Sequence, residues 1–396
     1  MSDIELYYDI VCPYAYMAAA KIERLSQQQT YNVRWVPILL GGIYRHWNAP
    51  DIPSQTWPKS KRAYAALDLK RQADLAGVKL RYHPRHPLRT VKAMRFLCAV
   101  PKDKLPSVSL RLFQAYWDEN QHIDTDDVLN QIAVELKLPI DLFLSNQAKE
   151  QLYKNTQEAF DRGVFGVPSI FVGQKMWWGQ DRMLFVEKEL GSPERTWPAA
   201  QKTGRTVEFF HDFSSPFSYL GAMQIQSIAD RYGFHLHWRP ILLGALFRNI
   251  GTPDVPLFSM SKGKQKYLLQ DLYDWSQWWN VPFRFPDIFP VRTILPLRLA
   301  IIDPSLNEIF YRAMWVDNRN IGSEDVVRDL LKENGKDAEM LFHKIPQAKQ
   351  QLIDNTTRAQ QLGICGVPSI YNGQEIWWGQ DRMYDFAQAL CKTKTV

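Results

Sequence analysis

The chain has 396 residues, enough for two domains of ordinary size, and its 45% hydrophobic and 23% charged content is that of a globular protein rather than a disordered or fibrous one. Its formal net charge of +6 is small for this length and is not concentrated in any Lys/Arg block, so composition gives no support to a nucleic-acid or membrane-surface role. No apolar run approaches the roughly 20 residues of a membrane helix, and the start, Met1-Ser2-Asp3-Ile4-Glu5, lacks the basic-then-apolar order of a secretory signal.

In chain order, a strand is expected at 4–9, followed by a helix over 14–25 that Pro13 opens, where the missing N–H costs nothing. A short strand follows at 32–36. Helical patterns fill the middle, most clearly at 59–77 and 125–160. Two short strands, 169–172 and 174–178, split by Gly173, read as a hairpin, and a closing helix starts near Gln180. The stretch 191–205 (GSPERTWPAAQKTGR) has the Pro/Gly content of a linker. Then the order begins again: a strand at 206–211, a helix over 217–232 opened by Pro216, and a strand at 235–238.

The second round is a duplication. Residues 163–183 and 363–383 agree at 15 of 21 positions. Asp9-x-x-Cys12-Pro13 answers Asp212-x-x-Ser215-Pro216. Trp35-x-Pro37-Ile38-Leu39-Leu40-Gly41 answers Trp238-x-Pro240-Ile241-Leu242-Leu243-Gly244, and Arg89-Thr90 answers Arg292-Thr293, all at an offset of 203 residues. Trp117 answers Trp315 at 198, so the second copy is slightly shorter between these landmarks, as surface connections allow. The period is domain-sized, not that of a solenoid. The expected domains are therefore 1–190 and 206–396, joined by 191–205. Each has the order βαβ, helical insertion, ββα. That is an α/β fold: two tandem thioredoxin-fold units, each with an inserted all-helical domain.

Three motifs recur. Asp-x-x-Cys12-Pro and Asp-x-x-Ser215-Pro place a side chain where a strand meets a helix N-terminus. Unpaired N–H groups and the helix dipole there favour a thiolate, the protein's own or a ligand's, and Ser215 also suits a plain helix cap. Gly-Val-Pro-Ser, at Val167-Pro168 and Val367-Pro368, suits a cis-proline turn whose backbone pairs with an extended peptide. Trp-Trp-Gly-Gln-Asp-Arg places Asp181 and Asp381 in a first helical turn, either to meet a ligand ammonium or simply as first-turn acids, with the Trp pair as core. The 14 tryptophans predict heavy aromatic packing, with aromatic-lined pockets as the rarer cause. Cys12, Cys98, Cys365 and Cys391 form no CxxC pair and no metal-ligand spacing, which predicts free thiols in a reducing cytoplasm and no metal.

With S-P-F-S-Y at the first helix of copy two, G-V-P at the turn, W-W-G-Q-D-R near each end, P-x-L-L-G, and Lys-x-x-Tyr at Lys61/Tyr64 and Lys264/Tyr267, each copy resembles the 2-hydroxychromene-2-carboxylate isomerase family. Kappa-class glutathione transferases and the wider DsbA-like group share that family's fold. The resemblance implies glutathione as cofactor, with Ser215 positioning its sulfur. It implies that Val167-Pro168 and Val367-Pro368 pair with the cysteinyl part, and that Gln180-Asp181 and Gln380-Asp381 hold the γ-glutamyl end. Lys61 and Lys264 become candidates for the glycine carboxylate. Asn48 resembles a family ligand, whereas its counterpart Gly251 does not. Copy one departs from the pattern: Cys12 replaces the serine, and Ala15 stands where a dithiol oxidoreductase carries its second cysteine. Cys12 is nonetheless expected to be acidic and reactive. Gln at 180 and 380, where kappa transferases tend to have Ser, tilts the resemblance toward the isomerases.

The implied activity is a glutathione-dependent isomerisation of aromatic-degradation oxo acids. A glutathione-linked oxidoreductase or kappa-like transferase, or a non-catalytic binding protein, are the alternatives. The expected partner is a small-molecule substrate, with neither nucleic acid nor membrane. Because single-domain relatives are typically dimers, the duplicated chain is expected to be a monomer with an internal pseudo-dimer.

Overall fold

Two copies of one sheet account for every strand described. In the first, β1 (Ile4–Tyr8) pairs in parallel with β2 (Val33–Pro37) and antiparallel with β3 (Ser169–Val172), which turns into β4 (Lys175–Trp178). The order is β2-β1-β3-β4. The second sheet repeats it with β5 (Thr206–His211), β6 (His235–Pro240), β7 (Ser369–Tyr371) and β8 (Ile376–Trp378) in the order β6-β5-β7-β8. Central strands covered on both faces read as continuous apolar runs rather than alternating ones. Accordingly Leu6, Tyr7 and Tyr8 of β1 and Phe209, Phe210 and His211 of β5 are fully buried. The charges on these strands are paired: Glu5 meets Arg34 and Arg162, and Glu208 meets Arg239 and Arg358.

The computed structural model describes residues 3–392 except Thr30, Asp51 and Glu194, the last within the expected linker. The chain forms two compact units whose limits differ from those of the sequence repeats. One comprises residues 1–55, 66–195 and 261–264; the other comprises 56–65, 196–260 and 265–396. The first helix of each repeat, Pro13–Gln29 or Pro216–Tyr232, follows its proline as expected, and the insertion between β2 and β3 is helical throughout its regular elements. The helical pattern over 125–160 does not form one helix. It breaks into Asp126–Glu135, a 3-10 turn at Leu142–Leu144, and Asn146–Asp161. Lys137 and Asp141 between them adopt left-handed φ values of 53° and 58°, which a continuous right-handed helix excludes.

Tryptophan does serve packing. Trp117, Trp275, Trp315 and Trp377 are among the largest fully buried side chains. Two of them are also buttresses, since Trp117 Nε1 donates to Ile10 O (2.8 Å) and Trp315 Nε1 to Phe213 O (2.9 Å). Those carbonyls belong to the turn between the first strand and the first helix of each repeat.

Candidate functional site

That turn is organised by a buried carboxylate. Asp212 is 2% exposed. Its Oδ1 accepts from Ser214 N (3.0 Å), Ser214 Oγ (3.0 Å) and Thr293 Oγ1 (2.7 Å), and its Oδ2 accepts from Leu243 N (2.9 Å). Asp9 does the same in the first repeat, accepting from Val11 N (3.1 Å), Leu40 N (2.9 Å) and the Thr90 side chain. Burial raises both carboxyls, Asp9 to about 6, against the opposing pull of these donors. One network therefore joins three of the repeated landmarks, Asp-x-x-[Cys/Ser]-Pro, the Leu-Leu loop and Arg-Thr.

Ser215 follows directly. Its Oγ accepts from Ser218 N (3.2 Å), which makes it the cap of its helix, and donates to Val367 O (3.3 Å). Cys12 takes the equivalent place, with Sγ donating to Val167 O (3.2 Å). The Val167–Pro168 and Val367–Pro368 bonds are both cis, as the motif predicts; cis bonds at His86–Pro87 and Phe289–Pro290 had no such signal. The carbonyls of Pro168 and Pro368 accept from Gly179 N (3.0 Å) and Gly379 N (2.9 Å), which draws the third motif to the second. Gly179 and Gly379 have φ of 106° and 112°, and a Cβ on either would collide with the carboxylate of Asp181 or Asp381. Only glycine meets both conditions. The two aspartates are half-buried and ion-paired with the next residue: Asp181 with Arg182 at 3.1 Å, and Asp381 with Arg382 at 3.3 Å.

A strand-to-helix turn facing a cis-proline turn, made twice on a four-stranded sheet, is a thioredoxin-type arrangement. The DsbA-like thioredoxin domain family matches residues 3–191 and again residues 206–391. The chain belongs to that family. The 2-hydroxychromene-2-carboxylate isomerase of Pseudomonas putida is 27% identical to it over 199 residues, 48% of this chain and 94% of its own. Glutathione S-transferase kappa 2 of Caenorhabditis elegans is 25% identical over 210 residues, 48% of this chain and 92% of its own. A solved 2-hydroxychromene-2-carboxylate isomerase structure aligns at 24% identity and a TM-score of 0.42, covering 48% of this chain and 94% of that one. The chain is thus similar to proteins named as isomerases and as glutathione transferases.

The two DsbA-like sites are not equal. The expectation of an acidic Cys12 is overturned. Burial pushes its thiol up to about 12, and the Ala15 and Tyr14 N–H groups that favour a thiolate do not offset it; the nearby Asp9 adds to the rise. Cys12 is therefore a protonated thiol at neutral pH, and alkylation of the native protein at pH 7 should label it more slowly than the half-buried Cys391. Peptide mass spectrometry reads this, and preferential labelling of Cys12 would refute it. No cysteine is in a disulfide.

Gln180 and Gln380 are both buried, at 1% and 2% exposure. Gln180 Oε1 accepts from Lys21, and its Nε2 donates to Gln72 (3.0 Å). Copy two has Gln224 and Trp275 at those places, and Gln380 Nε2 has no hydrogen-bond partner among the described residues. Asn48 is exposed, and its φ of 50° ends the helix Leu40–His46. Its counterpart Gly251 has φ 80° after Leu243–Ile250. A left-handed helix end favours Asn or Gly, which accounts for this pair without a ligand. Lys61 lies in the compact unit that contains Ser215, and Lys264 in the one that contains Cys12.

Sequence reasoning quoted Asp9, Asp212, Thr90 and Thr293 as landmarks but assigned them no role. Their recurrence in both copies was the available signal. A cavity of about 300 Å³ beside Ser214 had no sequence signal; Leu243, Val255, Pro290 and Val291 line it together with Arg248 and Asp254. Among the described residues, no three His, Cys, Asp or Glu side chains gather as a metal site, and no helix is long and apolar enough to cross a membrane.

Proposed function

We propose that the Ser215 site is a glutathione-dependent isomerase centre of the 2-hydroxychromene-2-carboxylate isomerase type, acting on aromatic-degradation oxo acids. The observation that carries this reading is Ser215 itself, a buried hydroxyl at a helix N-terminus, 3.3 Å from the Val367 carbonyl. Relatives named as such isomerases in Pseudomonas putida and Sphingobium xenophagum support it.

The residues present fit glutathione. Val367 and Pro368 offer the backbone for the cysteinyl part, Asp381 an acid for the γ-glutamyl ammonium, and Lys61 a cation for the glycine carboxylate. Bound there, glutathione would supply a thiolate that adds reversibly to an unsaturated oxo-acid chain and so permits bond rotation. Ser215 would turn its one hydroxyl proton from the Val367 carbonyl to that sulfur and so favour the ionised form. The apolar walls of the cavity beside Ser214 hold the substrate's hydrocarbon part, and Arg248 offers a cation for its carboxylate. In the Cys12 site the protonated thiol and the absence of a second cysteine disfavour disulfide exchange, which needs a thiolate.

Calorimetric titration with glutathione tests the premise. Side-by-side assays of isomerisation, conjugation and mixed-disulfide reduction then test the chemistry. Isomerisation alone fits this proposal, conjugation as the main activity would make the protein a kappa-like transferase, and no heat at millimolar glutathione would overturn both.

We further propose that the protein is cytoplasmic and monomeric, the duplication standing in for a second chain. Light scattering should give the chain mass of 46.2 kDa; twice that mass would overturn it.

A further inference from the structure

The rings around the two buttressing tryptophans are arranged alike but differ in chemistry. In copy one, Tyr82 and His86 meet at 5.2 Å between ring centres, and they meet Trp117 at 5.5 and 5.1 Å. In copy two, Phe285 and Phe289 meet at 5.0 Å, and they meet Trp315 at 5.8 and 6.3 Å. The offset of 203 residues pairs Tyr82 with Phe285 and His86 with Phe289, and it also pairs Tyr44 with Phe247. The ring cluster is thus kept, while each of these three positions carries a polar group in copy one and none in copy two. The hydroxyls of Tyr44 and Tyr82 both lie within electrostatic reach of the Cys12 thiol. Among the described residues neither hydroxyl has a hydrogen-bond partner, and Tyr82 is 56% exposed. His86 Nδ1 pairs with Tyr116 Oη (2.7 Å), which also accepts from Leu88 N (3.2 Å), so Nε2 is the nitrogen left for a ligand. Met314 answers Tyr116 at the offset of 198. The imidazole and the hydroxyl that orients it are therefore present together in copy one and absent together in copy two. Packing alone does not call for them, since Phe289 and Met314 stand at the same places without a polar atom.

We propose that copy one holds a second ligand site, for a small aromatic molecule that carries hydroxyl groups, with Tyr44, Tyr82 and His86 as its polar contacts. The site lies wholly within the compact unit that contains Cys12. Burial pulls the His86 pKa below its ordinary value, so its imidazole is neutral at pH 7. Neutral groups that can each donate or accept match a ligand hydroxyl, which does both. The exposed Tyr82 ring offers a surface for an aromatic ring. Copy two, with phenylalanine at all three places, lacks these contacts. The inference goes beyond the isomerase reading, which concerns the Ser215 site, and does not require glutathione.

The test is calorimetric titration of the full chain with catechol as the probe and toluene as its counterpart without hydroxyls. Glutathione is left out, so failure here and failure of glutathione binding are separate results. Catechol should saturate one site per chain. Tyr44→Phe/Tyr82→Phe should weaken that site about tenfold, as expected for two lost neutral hydrogen bonds, and should leave toluene binding unchanged. Each single Tyr→Phe variant should show part of the loss. Each removes one oxygen and keeps the ring, so the melting temperature should hold. Absence of saturable catechol binding, or unchanged affinity in the double variant, would overturn the proposal. An equal fall for toluene would mark a structural effect and overturn it too.

Discussion

Replacing Ser215 with alanine is expected to lower isomerase turnover about a hundredfold while glutathione affinity changes by less than about threefold, because a hydrogen bond to a charged group contributes about 1.5–3 kcal/mol. In the free protein the hydroxyl donates to the Val367 carbonyl, which places it at the cis-proline turn; a bound sulfur would take that one proton instead, whereas the tripeptide's ends are held elsewhere. Its second role is smaller. As acceptor from Ser218 N, Ser215 caps its helix, and losing a cap costs about 1 kcal/mol, too little to unfold an ordinary domain. Steady-state kinetics and a calorimetric titration on the same variant separate the two roles. Unchanged turnover with a lowered melting temperature would show that Ser215 is a cap only. Ser215→Cys adds a control, since burial should hold that thiol protonated, as it does Cys12. It should therefore behave as a weak donor rather than as a new nucleophile.

The repeat, the strand-helix punctuation and the order of elements were legible because they depend on local chemistry: prolines at helix starts, Gly173 between strands, Pro/Gly content at the linker. The Val-Pro turns were legible for the same reason. What failed depended on burial and on which segment packs where. Cys12 carries the sequence signature of an acidic thiol, but it is buried, and that desolvation outweighs the helix N-terminus. Gln180 and Gln380 read as ligands through the family resemblance, and nothing local announced that both are buried in their 3-10 turns. The break at 136–145 was missed because apolar spacing continues through it, while Lys137 and Asp141 turn left-handed. Nothing local in Lys61 states that residues 56–65 fall in the compact unit of the other copy.

Asp212→Ala should destabilise its unit by about 3–5 kcal/mol and abolish glutathione binding there, since it leaves one buried and three part-buried donors unpaired at once. The Leu243 and Ser214 N–H groups and the Ser214 and Thr293 hydroxyls all lose their acceptor, and the turn that presents Ser215 loses its tie to the Leu-Leu loop. Asp9 holds the matching position, and its titration gives the pH dependence a sign. Burial raises its carboxyl from 3.8 to about 6 in the folded chain, so the folded state binds the proton more tightly than the unfolded one. The stability this adds is fully present below about pH 4 and is lost as pH rises through about 6. Asp9→Asn cannot titrate. Urea unfolding at pH 4, 5, 6 and 7 should therefore show wild-type stability falling relative to Asp9→Asn across that window, with the gap constant above it. Parallel pH profiles would mean that the donors around Asp9 hold its carboxyl near the ordinary value. The buried acid would then be a fixed anion that pins the loop at every pH, with no proton to exchange.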